Sequence, residues 1–74
     1  MLPSSAQIRA ARALLGWSQQ QLADLSGTSR RTVATYEGDG EITPAKVEAM
    51  RLALETHGIT FTEEGEPEGV SKQS

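Results

Sequence analysis

The segment from Ser18 to Tyr36, SQQQLADLSGTSRRTVATY, constrains the fold of this chain more than any other part. It combines a small residue, a glycine and then a β-branched apolar residue at fixed spacing, which predicts two short helices, about 19–26 and 30–37, joined by a tight turn. Gly27 suits the corner because glycine reaches positive φ without a Cβ clash. The small side chain of Ala23 would let the second helix cross close to the first.

A family resemblance is carried by residues in and around this segment. The matching positions are Gln19, Leu22, Ala23, Gly27, Val33, Tyr36 and Glu37. They resemble the helix-turn-helix of the phage repressor/Cro-like transcription regulators, the XRE family. The resemblance covers about residues 7–61, with an entry helix that ends in LLGWS and a later helix, TPAKVEAMRLAL. It implies an all-α fold, a four-helix repressor-like helix-turn-helix domain.

Two further helices flank the central pair. Ser4 offers an N-cap for a helix over about 5–15. Thr43 offers a cap for a fourth helix that would start at Pro44, where the missing N–H costs nothing, and would run to about His57. The apolar stripes at helical spacing are Ile8, Ala11, Leu14 and Leu15 on the first helix and Val47, Met50, Ala53 and Leu54 on the fourth.

The C-terminal part divides from the helical part at about residue 58. We expect a helix-turn-helix domain over 1–58, then a short strand and an acidic, partly flexible tail over 59–74. Ile59 and Phe61 alternate with threonines, which predicts a β-strand that needs a partner. A strand near 69–71 or the same strand of a second subunit could supply it. The glutamates Glu63, Glu64, Glu66 and Glu68 read as a solvated tail, or else as a weak cation site.

Length and residue usage exclude several classes of protein. The chain has 74 residues, enough for one small domain, and no cysteine. No apolar run approaches the roughly 20 residues of a membrane span, and the N-terminus lacks the pattern of a signal peptide. We therefore expect a cytoplasmic protein without contact to a membrane.

Charge is distributed unevenly along the chain. The net charge of -3 by itself argues against a nucleic-acid partner. However, residues 1–36 carry four arginines and one aspartate, whereas residues 37–74 carry three basic and nine acidic residues. A positive pole therefore surrounds the predicted helix-turn-helix.

The residues predicted to bind DNA lie on and beside the helix 29–37. If this helix enters the major groove, its N-terminal residues meet base edges first. Arginine is suited to guanine, while Thr35 offers either its methyl to thymine or its hydroxyl to a base or phosphate. The resemblance implies a phosphate contact for Gln19. The candidate DNA-binding residues are Ser18, Gln19, Gln20, Ser29, Arg30, Arg31, Thr32 and Thr35.

Three other residues have two interpretations each. Arg9 and Arg12 could touch phosphate, or they could pair with Glu55 or Asp24. Trp17 could stack on a base or a ligand, or it could pack between the first and fourth helices, as large aromatic residues in small cores usually do.

The sequence as a whole predicts a DNA-binding regulator. His57 is the single histidine, and no constellation for catalysis, a metal or a cofactor is present, so we expect no enzyme. We expect a sequence-specific transcriptional regulator, a repressor, that binds double-stranded DNA as a homodimer. The candidate dimer interface is Leu52, Ile59 and Phe61. The alternative is a protein-interaction module of antitoxin or anti-repressor type, whose acidic C-terminal half would cover a basic partner.

Overall fold

The computed structural model describes residues 2–62 and 69–72. Its elements in chain order are α1 (Ser5–Leu15), α2 (Gln19–Ser26), α3 (Arg30–Glu37), α4 (Pro44–Thr56), β1 (Ile59–Phe61) and β2 (Val70–Lys72). The expected four-helix domain with a short β element at its C-terminus is confirmed. No helix in the described ranges combines the length and the apolar character that crossing a bilayer requires.

Serine side chains begin the first three helices. Ser4 and Ser18 each accept a hydrogen bond from the backbone N–H of a glutamine three residues later, and the glutamine side chain accepts one from the N–H of the capping serine. The hydroxyl of Ser29 accepts a hydrogen bond of 3.1 Å from the N–H of Thr32. These bonds satisfy donors that a helix start otherwise leaves unpaired, so the sequence itself fixes where these helices begin.

The fourth helix begins where it was predicted to begin, but without a side-chain cap, and it ends one residue early. The side chain of Thr43 makes no capping hydrogen bond, although Pro44 occupies the first turn as expected. The helix ends at Thr56, and His57 is the C-cap residue. Gly58 follows with a φ of 99°, so the chain leaves the helix through a conformation that glycine adopts freely.

One hydrophobic cluster joins all four helices to β1. Its buried members are Ile8, Ala11, Leu22, Ala23, Val33, Met50, Ala53, Leu54 and Ile59. Leu14 was expected in this core but is 45% exposed, because the buried side of α1 is centred on Ile8 and Ala11 and Leu14 lies beyond its edge. Trp17 packs against the cluster and meets the ring of His57 edge-on, with centroids 4.8 Å apart. Its position supports the packing interpretation of this tryptophan.

The two strands form an antiparallel hairpin within the chain. Ile59 pairs with Lys72 and Phe61 with Val70, so the second strand begins one residue later than expected. β2 packs against α1, and β1 packs against α4. The side-chain amide of Gln7 donates hydrogen bonds to the carbonyls of Thr62 and Gly69, at 2.8 and 3.1 Å, and so anchors the hairpin to α1. The expected acidic tail over 63–68 lies outside the described residues.

Candidate nucleic-acid interface

A glycine turn and buried apolar side chains form the corner between α2 and α3. Gly27 has a φ of 72°, in the left-handed region that the sequence analysis assigned to it. The N–H of Thr28 donates a 2.9 Å hydrogen bond to the carbonyl of Ala23 and closes the end of α2. Leu22, Ala23 and Val33 are fully buried between the two helices. The orientation of α3 is therefore set by the core and leaves the opposite side of this helix outside.

The outer side of α3 begins with two unpaired cations. Arg30 and Arg31 are exposed, and neither makes a hydrogen bond or an ion pair with any residue in the described ranges. They stand at the N-terminus of a helix, where the macrodipole disfavours positive charge. Two guanidinium groups in this position favour an anion as their partner, because no carboxylate of the described part compensates them.

Three hydroxyl side chains lie at the start of α3 and along it, two bonded to each other and one exposed. The hydroxyls of Ser29 and Thr32 lie 2.9 Å apart and share a hydrogen bond. Thr35 is exposed one turn beyond Arg31. The face from Ser29 to Thr35 thus carries arginine and hydroxyl groups and no acidic residue, which suits contact with base edges and phosphates.

The start of α2 contributes a second group of the candidate residues. Ser18 is the exposed N-cap residue. Gln20 is exposed, and its amide donates a 2.8 Å hydrogen bond to Asp24. Gln19 is half-buried, and its amide nitrogen donates a 3.1 Å hydrogen bond to a carboxylate oxygen of Glu37. The side-chain amide of Gln19 is therefore positioned by a hydrogen bond to a buried carboxylate.

A buried carboxylate beneath this surface was not anticipated from the sequence. Glu37 is 6% exposed and forms a two-bond ion pair with Arg12, from Nε to Oε2 at 2.8 Å and from Nη2 to Oε1 at 2.9 Å. This hydrogen bonding raises the pKa of Arg12. The helix macrodipole disfavours a negative charge near a helix C-terminus. The position of Glu37 at the end of the predicted helix was therefore the feature of the sequence that could have indicated a cationic partner.

The two arginines of α1 have different partners from those expected. Arg12 pairs with Glu37, and its Nη1 also donates to the carbonyl of Trp17 at 2.8 Å. Arg9 donates to the backbone carbonyl of Glu37 at 2.6 Å, while its side chain stays exposed. Neither arginine pairs with Glu55 or Asp24, which was one of the two interpretations of these residues. Arg51 lies one turn from Glu55 and engages it, and Gln20 binds Asp24.

The three residues expected in a dimer interface lie in different environments. Leu52 is 51% exposed on α4, Phe61 is half-buried, and Ile59 is 3% exposed. Ile59 belongs to the core of its own subunit, so its burial is explained without a partner. Leu52 is the member of this group with the most apolar surface to offer.

Comparison with known proteins agrees with this geometry. A family model described as a helix-turn-helix matches residues 8–62, which is more than half of the chain and runs from within α1 to just after β1. No curated protein matches the chain.

Proposed function

The chain belongs to the Cro/C1-type helix-turn-helix family of DNA-binding regulators, the XRE family, and we propose that it is a repressor that binds a two-fold operator as a homodimer. In each subunit α3 would enter the major groove, with Ser29 and the residues after it against base edges. Such a protein would act in the cytoplasm and would need no cofactor.

One observation carries this proposal. Arg30 and Arg31 are exposed cations at the N-terminus of α3, and neither side chain has a partner among residues 2–62 and 69–72. In a major groove their planar guanidinium groups match the O6 and N7 acceptors of guanine. The positive balance of residues 1–36 adds long-range attraction, which works over about 8 Å at physiological salt.

The start of α2 would supply the contacts to the DNA backbone. Gln19 donates one N–H of its side-chain amide to Glu37, which leaves the second N–H of that amide and the N-terminus of α2 as donors. The N–H groups at that helix end favour a phosphate oxygen. Ser18 and Gln20 flank this position and would fix the register of α3 along the groove.

The direct test is selection of duplexes from a random pool with the purified protein, followed by binding assays on the enriched sequence. We expect Arg30→Ala and Arg31→Ala each to cost about 1–3 kcal/mol of binding and to relax the base preference at one position. Lys72→Ala is the matched control, because it removes a cation from the hairpin and should change affinity little. Unchanged affinity in both arginine variants would contradict the proposal.

The same selection tests the dimer. Two subunits of a repressor-like dimer place their recognition helices about 34 Å apart, one turn of DNA. The longest extent of a subunit is 27 Å, so two subunits in contact can span this distance. We expect the enriched sequence to be a palindrome with that spacing. If no sequence is enriched and the protein instead captures a basic protein partner, an interaction module of antitoxin or anti-repressor type is the better assignment.

A further inference from the structure

The turn after α3 folds back onto Thr35. The N–H of Gly40 donates a 2.8 Å hydrogen bond to the carbonyl oxygen of Thr35. A Cβ atom at residue 40 would lie 2.6 Å from Cγ2 of Thr35 and 2.9 Å from its carbonyl oxygen, closer than side-chain atoms approach each other. A side chain at residue 40 would therefore displace Thr35, because the methyl group of Thr35 lies on the side of Gly40 where a Cβ atom would stand.

This contact decides which group of Thr35 is available. The methyl and the hydroxyl are both bonded to the same tetrahedral Cβ atom, so a methyl turned toward Gly40 directs the hydroxyl elsewhere. Thr35 is exposed, and its hydroxyl has no hydrogen-bond partner among the residues that the structure describes. The hydroxyls of Ser29 and Thr32, by contrast, bind each other. Of these three hydroxyl groups on α3, that of Thr35 is the one left to an outside partner.

We propose that Thr35 recognises DNA through its hydroxyl and not through its methyl, and that Gly40 is the residue that positions it. The inference rests on the proposed insertion of α3 into the major groove. A threonine hydroxyl can donate a hydrogen bond to an acceptor on a base edge or to a phosphate oxygen. It would do so one helical turn beyond Arg31.

Two substitutions of Thr35 separate the two groups. Thr35→Val keeps the methyl against Gly40 and removes the hydroxyl, whereas Thr35→Ser keeps the hydroxyl and removes the methyl. On the selected duplex we expect Thr35→Val to lose about three- to tenfold in affinity, the value of one hydrogen bond. Thr35→Ser should stay within about twofold of the parent protein. Equal losses in both variants, or a loss in the serine variant alone, would overturn the proposal.

The same variants identify the acceptor. Repeating the selection with Thr35→Val gives a relaxed preference at one base pair if the hydroxyl reads a base edge. It gives an unchanged sequence and uniformly weaker binding if the hydroxyl contacts phosphate. Arg30→Ala, measured alongside, separates this inference from the proposed function. If Arg30→Ala weakens binding and Thr35→Val does not, only the role of Thr35 fails, whereas no effect in either variant removes the groove model itself.

The positioning role of Gly40 needs a measurement that simple destabilisation would not affect. Gly40→Ala should weaken DNA binding in the parent protein, because the new Cβ displaces the side chain of Thr35. In the Thr35→Val background the same substitution should change affinity little, since the hydroxyl is already absent. Equal losses in both backgrounds, measured below the melting temperature of each variant, would show that Gly40 acts on stability alone.

Discussion

Glu37 brings a negative charge into the interior at the last position of α3. Removing an ion from water is expensive unless a partner and further hydrogen bonds compensate for it. Both oxygens of Glu37 bind Arg12, and one of them also accepts a hydrogen bond from Gln19. Because the pair links α1 to the end of α3 and touches a residue of α2, it fixes three helices relative to one another.

The stability losses from replacing the two members of this pair should not be additive. The Arg12 side chain is 20% exposed and that of Glu37 is 4% exposed, so we expect Arg12→Met or Glu37→Met to cost about 2–4 kcal/mol of unfolding free energy. The double variant leaves no unpaired buried charge and should lose less than the two single losses added together. Urea denaturation of the four proteins gives the coupling free energy. Additive losses would mean that the two charges act independently.

Single residues with a local role could be identified from the sequence, and long-range partners could not. Gly27 and the capping serines act on backbone within four residues of themselves, so their identity and spacing were enough to place them. Arg12 and Glu37 are 25 positions apart, and the sequence does not show that the fold brings them together. Thr35 was recognised as a candidate for DNA contact, but the group that it presents depends on the backbone of Gly40.

The observed helix bounds match the predicted ones where helical periodicity and capping residues indicated the same ends. The bounds of α1, α2 and α3 are those expected, and α4 ends one residue early. Leu14 was placed in the core because its spacing from Ala11 is helical, yet the core-facing side of α1 is narrower than that stripe. For the strand 59–61, the alternation of apolar residues with threonines indicated a β conformation. The alternation does not say which segment pairs with this strand, because pairing depends on where the chain returns.

Tyr36 connects α3 to the chain before α1. Its hydroxyl donates a 2.6 Å hydrogen bond to the carbonyl of Pro3, and burial raises the pKa of this phenol above its ordinary value of 10.0. The neutral form is thus favoured in the folded protein. The resulting stability is fully present below about pH 10 and is lost as the pH rises through the folded-state pKa.

We expect Tyr36→Phe to cost about 1 kcal/mol at neutral pH through the lost hydrogen bond. Above about pH 10 the difference between the two proteins should shrink, because the parent protein alone must ionise this phenol on unfolding. Denaturant titrations of both proteins across this range measure the effect, and the lysines titrate equally in the two. Since the chain has a single tyrosine, phenolate absorbance reports its ionisation directly. A difference that stays constant with pH would contradict this account.

The described part of the molecule is built around one small hydrophobic core. A chain of 74 residues buries a limited apolar area, so its single core gives only marginal stability. Association of two subunits would bury more apolar surface and add to that stability. The exposed apolar side chains from which an interface could be built include Leu14, Leu25 and Leu52. Of these, Leu52 on α4 is the residue that the sequence predicted to lie in a dimer contact.

The dimer hypothesis predicts a specific effect of charge at that position. Leu52→Glu should convert the protein to a monomer in sedimentation experiments and lower its affinity for a palindromic duplex, because an unpaired carboxylate would be buried at the contact. Its melting temperature at low concentration should change little, since the leucine is 51% exposed in the subunit. Leu25→Glu, at 52% exposure, is the matched control and should remain dimeric. Dissociation by Leu14→Glu instead would move the interface to α1.

The double hydrogen bond from Gln7 has a practical consequence for protein engineering. The side-chain amide of Gln7 donates to the carbonyls of Thr62 and Gly69, the residues on either side of 63–68. A residue of α1 therefore determines the distance between these two carbonyls. The cost of closing a loop rises only slowly with its length. We therefore expect the hairpin to keep its register when a peptide tag is inserted between Thr62 and Gly69, which would provide a labelling point outside α2 and α3.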